Sequence, residues 1–295
     1  MTGRIQIVLN PISGMGLGAA MLPRIEAGLR ELGYETSVFQ TERPGDGCRA
    51  LEGVAQPPDF VLAIGGDGTV NEVINGLVGR DTPLAIFPTG TSNVFCREIG
   101  VRGSVKHLLS LFAGGEVRPV DLGQTGSRVF LSLAGCGPDG YAVHDLAARR
   151  KGPILLVHYI GPVTRALFRY AFPPLRVEVD GQLLTEDACA AIISNTAWYG
   201  WPFSFTPQAQ IDDGVFDIVA FRRRTRWHMI KYLTGGLFRC HTRFRETLYR
   251  RGREVRVSSD AGAEVPVQVD GDVAGFLPQT FRVLPGALRV LMPRR

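Results

Sequence analysis

The chain has 295 residues, 45% hydrophobic and 21% charged, which is enough for two packed cores and excludes a disordered or fibrous class. No apolar run reaches the ~18 residues of a membrane-spanning helix, and the opening Met1 to Leu9 reads as a strand rather than a leader, so a cytoplasmic protein is expected. Five cysteines, odd in number and without a Cys-x-x-Cys pair, argue against a zinc site or a disulfide framework.

Ile5 to Leu9 is predicted as the first strand, and the loop Asn10 to Gly16 leads into a helix over Gly18 to Leu32. A strand at Glu35 to Gln40, a helix near Gly47 to Val54, the apolar strand Phe60 to Ile64 and a helix opening near Val70 follow. Next come the strand Leu84 to Phe87 and helical stretches at Val94 to Glu98 and Val105 to Ala113. Repeated strand, loop and helix predicts a doubly wound parallel sheet, whose ligands bind outside the carboxyl ends of the strands. After Asp121 the pattern becomes short alternating strands at 129–133, 176–179, 188–194, 216–221, 254–258 and 265–269, with Asp180-Gly181 closing a hairpin. This half is predicted as an antiparallel β-sandwich with helical insertions at Gly140 to Tyr170 and Trp227 to Phe238. The expected division is an α/β nucleotide domain over 1–122 and a β-sandwich domain over 123–295, with the extreme C-terminus able to pack back on the first.

Three loops of the first half carry chemistry. Gly65-Gly66-Asp67-Gly68-Thr69 places three glycines within four residues directly after a buried strand, a turn suited to close approach by a polyphosphate. Asn10-Pro11 with Ser13 and Gly14, and Thr89-Gly90-Thr91 with Asn93, offer further donors at the same predicted edge. Each residue also has a plainer role: Ser13 and Thr69 as helix caps, Asn93 as a turn residue, Gly90 as a steric necessity. In the second half, eleven cations lie between Arg222 and Arg253 against the single acid Glu246, interleaved with aromatic and aliphatic residues. That segment suits an anionic membrane surface; a solvated basic helix and nucleic acid compete as readings, and the membrane is the expectation carried forward, with no nucleic-acid partner.

Asn10-Pro11-x-Ser13-Gly14, Gly65 through Val73, and Pro88-Thr89-Gly90-Thr91-Ser92-Asn93-Val94-Phe95-x-Arg97-x-x-Gly100 resemble, in order, three signatures of the diacylglycerol kinase catalytic-domain family. The resemblance implies a nucleotide cleft for ATP formed by Asn10, Ser13, Gly14, Thr41, Gly66, Asp67, Gly68, Thr69, Glu72, Thr89, Gly90, Thr91 and Asn93. It also implies a lipid substrate, association with the inner face of the membrane, and a homodimer as one possible assembly. Ile211-Asp212-Asp213-Gly214 is similar to the family's magnesium segment, which makes Asp213 the side-chain ligand with the Gln210 and Val215 carbonyls nearby; an Asp-Gly turn is the equal alternative. Asp270-Gly271-Asp272 resembles the late Asp-Gly-Glu motif with a shortened final acid.

A lipid hydroxyl needs a carboxylate to accept its proton as it attacks the γ-phosphate. The resemblance favours Asp270 for this role with Asp67 organising nucleotide and magnesium, leaving Asp272 as the third candidate. The acceptor is expected between the domains. Gly135-Cys136-Gly137-Pro138-Asp139 departs from the family's Gly-Phe-Asp wording there. Apolar residues between Leu155 and Phe172, with Trp198, Trp201, Phe203 and Phe205, are candidates for acyl contact, although an ordinary core explains most of them. A soluble kinase of the NAD kinase type and a nucleotide- or lipid-binding protein without turnover are the competing functions.

Overall fold

The computed structural model describes residues 3–52, 56–149, 156–200, 202–259 and 264–294. The chain divides into two compact units, Met1–Val120 with Gly286–Arg295, and Asp121–Pro285. No described helix is long and apolar enough to cross a membrane.

Unit 1 contains β1 (Gly3–Leu9), α1 (Leu17–Glu31), β2 (Tyr34–Gln40), α2 (Asp46–Arg49), β3 (Phe60–Gly65), α3 (Asp67–Leu77), β4 (Leu84–Pro88), α4 (Val94–Glu98) and α5 (Val105–Gly114). Its strands are parallel in the order β2, β1, β3, β4. Val61 to Ile64 and Leu84 to Phe87 are at most 1% exposed, so both faces of the central strands are covered. That is why these segments read as unbroken apolar runs rather than alternating ones. Leu9 lies opposite Ile64, and Gly65 opposite Pro88. The three strands therefore end level, and the loops that leave them start side by side.

Unit 2 holds the end of β5 (Glu116–Thr125), then β6 (Arg128–Phe130), β7 (Leu133–Cys136), α6 (Pro138–Arg149), α7 (Ile160–Arg169), β8 (Leu175–Val179), β9 (Gln182–Ala188), β10 (Ala190–Ser194) and β11 (Phe216–Phe221). It continues through α8 (Arg226–Leu237), β12 (Thr247–Gly252), β13 (Glu254–Ser258), β14 (Pro266–Val269) and β15 (Asp272–Phe276) to the start of β16 (Gln279–Met292). One antiparallel sheet runs β12, β11, β10, β7, β14, β15; the other sets β16 beside β13, β8 and β9. Phe130, Val177, Ala191, Ile193, Val255, Val267 and Phe281 form the core between them. The alternate residues Ala190, Ile192, Val219 and Phe221 face the other way and pack with Met229 and Tyr232 of α8.

Several strands differ from expectation. The run expected at 129–133 is split between β6 and β7, and the one at 188–194 is divided at Cys189, whose amide bonds to Phe221 O at 2.7 Å. β5 and β16 were not anticipated. Within β16 the Pro285-Gly286 pair marks the passage from unit 2, where Gln279 to Arg282 pair with β13, to unit 1, where Val290 pairs with Leu84.

Candidate active site

In unit 1 the loops after β1, β3 and β4 meet. Asn10 Nδ2 donates to Thr69 Oγ1 at 3.1 Å, Thr89 Oγ1 donates to Ser13 Oγ at 2.9 Å, and the Thr89 amide reaches Gly65 O at 2.8 Å. Gly66 and Gly90 touch backbone to backbone: a Cβ on Gly90 would stand 2.6 Å from Gly66 Cα and 2.8 Å from Asn93 Oδ1. Asn93, at φ 44°, caps the start of α4 in a left-handed conformation and donates from Nδ2 to Gly90 O at 2.6 Å. Asp67 Oδ1 accepts the Val94 amide at 2.9 Å, tying the turn before α3 to the start of α4. Gly68 is exposed, with nothing within 4 Å of the place a side chain would occupy. The first amides of an α-helix have no partner inside it, so the start of α3 presents donors and the positive end of a dipole to an anion.

The side chain of one expected nucleotide residue, Glu72, is engaged away from the turn. Both Glu72 oxygens accept loop amides, Gly45 at 2.8 Å and Gly47 at 2.9 Å, which anchors the start of α2. Thr41 lies at the end of β2 with its amide on Leu9 O at 2.9 Å. Thr91 follows Gly90 in the β4 loop and is exposed. Gly14 adopts φ 58° with Thr89 O against the position of a side chain, so glycine is required there.

In unit 2, Asp270 and Gly271 form the two-residue turn between β14 and β15, at φ 48° and 84°. Asp270 Oδ2 accepts the Leu131 amide at 2.7 Å, and Oδ1 accepts those of Ser132 and Leu133 at 2.9 and 3.0 Å. Asp272 instead pairs with Arg128 at 2.9 Å and its side chain is 49% exposed.

Residues 4–125 match the family model described as "Diacylglycerol kinase catalytic domain", and residues 135–292 the model described as "YegS C-terminal NAD kinase beta sandwich-like domain". The chain belongs to the diacylglycerol kinase catalytic-domain family. It is 28% identical to a diacylglycerol kinase of Bacillus subtilis (strain 168) over 295 residues, covering 99% of this chain and 97% of that one. A diacylglycerol kinase of Staphylococcus saprophyticus is likewise 28% identical, over 302 residues covering 99% and 96%. A crystal structure of a diacylglycerol kinase from Bacillus anthracis str. Sterne aligns with a TM-score of 0.77 at 25% identity, covering 99% of this chain and 97% of that one.

For this kinase the magnesium segment can be tested against its own surroundings. Asp213 Oδ2 is ion-paired with Arg251 Nη2, and Asp213 Oδ1 accepts the Val215 amide at 3.3 Å. Arg251 Nε also lies 3.6 Å from Oδ2 of the fully buried Asp217, an oxygen with no hydrogen-bond partner. Burial pushes the Asp217 carboxyl up, against the Tyr249 hydroxyl, which donates at 2.6 Å, and the Arg251 charge. No group of three or more His, Cys, Asp or Glu side chains able to hold a metal occurs among the described residues. A guanidinium stands at the carboxylates where a divalent ion would, so these residues do not fit a resident magnesium ion. Gln210 precedes Ile211, whose carbonyl accepts the Asp121 amide at 2.8 Å, and Asp121 Oδ2 accepts the Gly214 amide at 2.6 Å. The segment is thus fixed by Asp121 and Arg251.

Sequence reasoning missed a buried network. Asp139 accepts from the Tyr199 hydroxyl and, at 2.8 Å, from Gln268 Nε2, while Gln268 Oε1 accepts the Gly271 amide at 2.8 Å. Desolvation raises the Asp139 carboxyl above the usual range, opposed by these two donors. The signal was Gly135, where a side chain would collide with Asp139. Among the expected acyl contacts, Phe172 and Phe205 are core, whereas Ile160 and Phe168 are exposed. Leu155 and Trp201, and the side chains of Leu156 and Val157, lie outside the described residues.

Proposed function

We propose that this kinase transfers the γ-phosphate of ATP to the hydroxyl of diacylglycerol or a related lipid while associated with an anionic membrane surface. The observation that carries the reading is the meeting of three loops in unit 1, where paired glycines and the open start of α3 leave room for a phosphate chain at the strand ends. Asp67, held by the Val94 amide, is the carboxylate that orders this turn. Magnesium brought in with the nucleotide would supply charge neutralisation at the phosphates.

In unit 2 we assign the proton acceptor to Asp270, whose two oxygens are oriented by three amides. A loose phosphoryl-transfer transition state makes a modest demand on base strength and a large one on position. Asp139, Gln268 and Gly271 brace the same turn. Purified protein incubated with labelled ATP, magnesium and mixed micelles is expected to label diacylglycerol or a close glycerolipid. No labelled product across diacylglycerol, monoacylglycerol, phosphatidylglycerol and sphingoid bases would overturn the reading, and phosphorylation of NAD in their place would establish the soluble-kinase alternative.

A further inference from the structure

Two neighbouring helices of unit 2 carry apolar side chains on their solvent side as well as on their packed side. α8 buries Met229 and Tyr232 against Phe205 and Phe221. Its opposite face, at the three- and four-residue spacing of a helix, presents Trp227, Ile230, Thr234 and Leu237, with Phe238 directly after. Trp227 is 80% exposed and Phe238 74%. α7 repeats the arrangement with Ile160, Thr164 and Phe168 at successive turns. Neither stripe contains a charge, and both threonine hydroxyls donate back into their own helix, Thr164 to Ile160 O at 2.7 Å and Thr234 to Ile230 O at 2.9 Å. Each stripe therefore offers methyl, aliphatic and aromatic groups, with both threonine hydroxyls satisfied within their helices. The two adjoin: the Arg226 guanidinium lies 5.1 Å from the centre of the Phe168 ring and donates to Phe168 O at 3.4 Å.

Cations bracket this surface. Arg223 and Arg224 precede α8, Arg226 opens it, Arg169 closes α7, and Arg239 follows Phe238. Among the described residues none of these forms an ion pair with a carboxylate, whereas Arg222, Lys231 and Arg251 of the same basic segment pair with Asp187, Glu246 and Asp213. Arginines gathered at the positive end of a helix dipole are unfavourable without an external anion.

We propose that α7 and α8 form the face by which the protein lies on an anionic lipid bilayer, the stripes sunk to the headgroup boundary and the arginines on lipid phosphates. α8 has 12 residues, roughly 18 Å, far short of the ~30 Å hydrocarbon core but suited to lying in the interface plane. Tryptophan at the edge of such a helix matches the headgroup level, where its ring is apolar and its N–H is solvated. This deepens the lipid-kinase reading by giving its membrane association a surface, and it is testable without any phosphoryl transfer.

The test is cosedimentation with phosphatidylcholine vesicles, with and without phosphatidylglycerol, in the absence of ATP. Binding is expected to rise with phosphatidylglycerol and to fall when salt shortens the screening length. The W227S/F238S double variant, at an unchanged melting temperature, is expected to lose at least about tenfold in partitioning. It is also expected to keep turnover of a lipid acceptor presented in detergent micelles. Wild-type protein that ignores anionic vesicles, or a double variant that binds as wild type, would overturn the proposal. So would self-association abolished by the double variant, since the stripes would then join two copies of the chain.

Discussion

Asp180 and Asp270 stand at the same place in two Asp-Gly hairpins, both at positive φ and both turned onto the backbone amides of a neighbouring segment. Asp180 Oδ1 takes those of Arg253 and Glu254 at 2.9 Å each, and Asp270 takes three. One hairpin is therefore an internal control for the other. Replacing Asp270 by asparagine turns one of its two accepting oxygens into a donor and leaves part-buried amides short of a partner, a cost of about 1–3 kcal/mol, whereas asparagine at the exposed Asp180 keeps the single oxygen that both amides use. D180N is expected to keep both stability and turnover close to wild type. D270N is expected to lower stability by the amount above and to reduce kcat by about a hundredfold or more, the scale of lost acid–base catalysis. Melting curves beside initial rates decide it; D270N turning over like D180N would make Asp270 an anchor only.

Facing strands show the same logic at the level of elements. β11 and β12 place Arg251 opposite Asp217, with Asp213 just before the strand begins, so one guanidinium serves two carboxylates. R251M removes that charge and is expected to cost about 1–2 kcal/mol, below the ~3–5 kcal/mol of a fully buried pair because Arg251 is 46% exposed. With no nucleotide present, the wild-type melting temperature is expected to be indifferent to chelator or added magnesium, and that of R251M to rise with magnesium. A wild-type protein that loses stability in chelator would restore the metal to Asp213. This pairing was not legible in the sequence, because Asp213 and Arg251 are brought together only by the strand register. The three unit 1 loops were legible, since Asn10, Gly66 and Thr89 carry their chemistry locally, next to apolar strands of evident length. α8 was placed nearly to the residue, but its exposed stripe was not: with Met229 and Tyr232 buried on one side and Trp227 and Leu237 displayed on the other, apolar spacing alone does not say which face is inside.

Across the whole molecule, unit 1 is made from two stretches of chain separated by all of unit 2. The second stretch buries Leu288, Val290, Leu291 and Met292, each at most 4% exposed, with Val290 beside Leu84. At roughly 1.5–3 kcal/mol per buried side chain this is on the order of 6–12 kcal/mol, comparable to the whole stability of an ordinary domain. Deletion of residues 286–295 is therefore expected to abolish cooperative melting of unit 1 and nucleotide binding, while unit 2, contiguous over Asp121–Pro285, keeps its β-sheet circular dichroism. A deleted chain that still binds ATP would show the last strand to be dispensable.

That discontinuity also inverts the usual order of maturation. Domains ordinarily fold from the N-terminus as they leave the ribosome, yet here the sandwich is complete while the sheet begun first still lacks its final strand. Until Val290 arrives, one flank of β4 is an unpaired edge open to other chains. The half of the molecule that we assign to the nucleotide is thus the last to become competent, and a nascent chain released early would carry a finished sandwich beside an adhesive, inactive sheet.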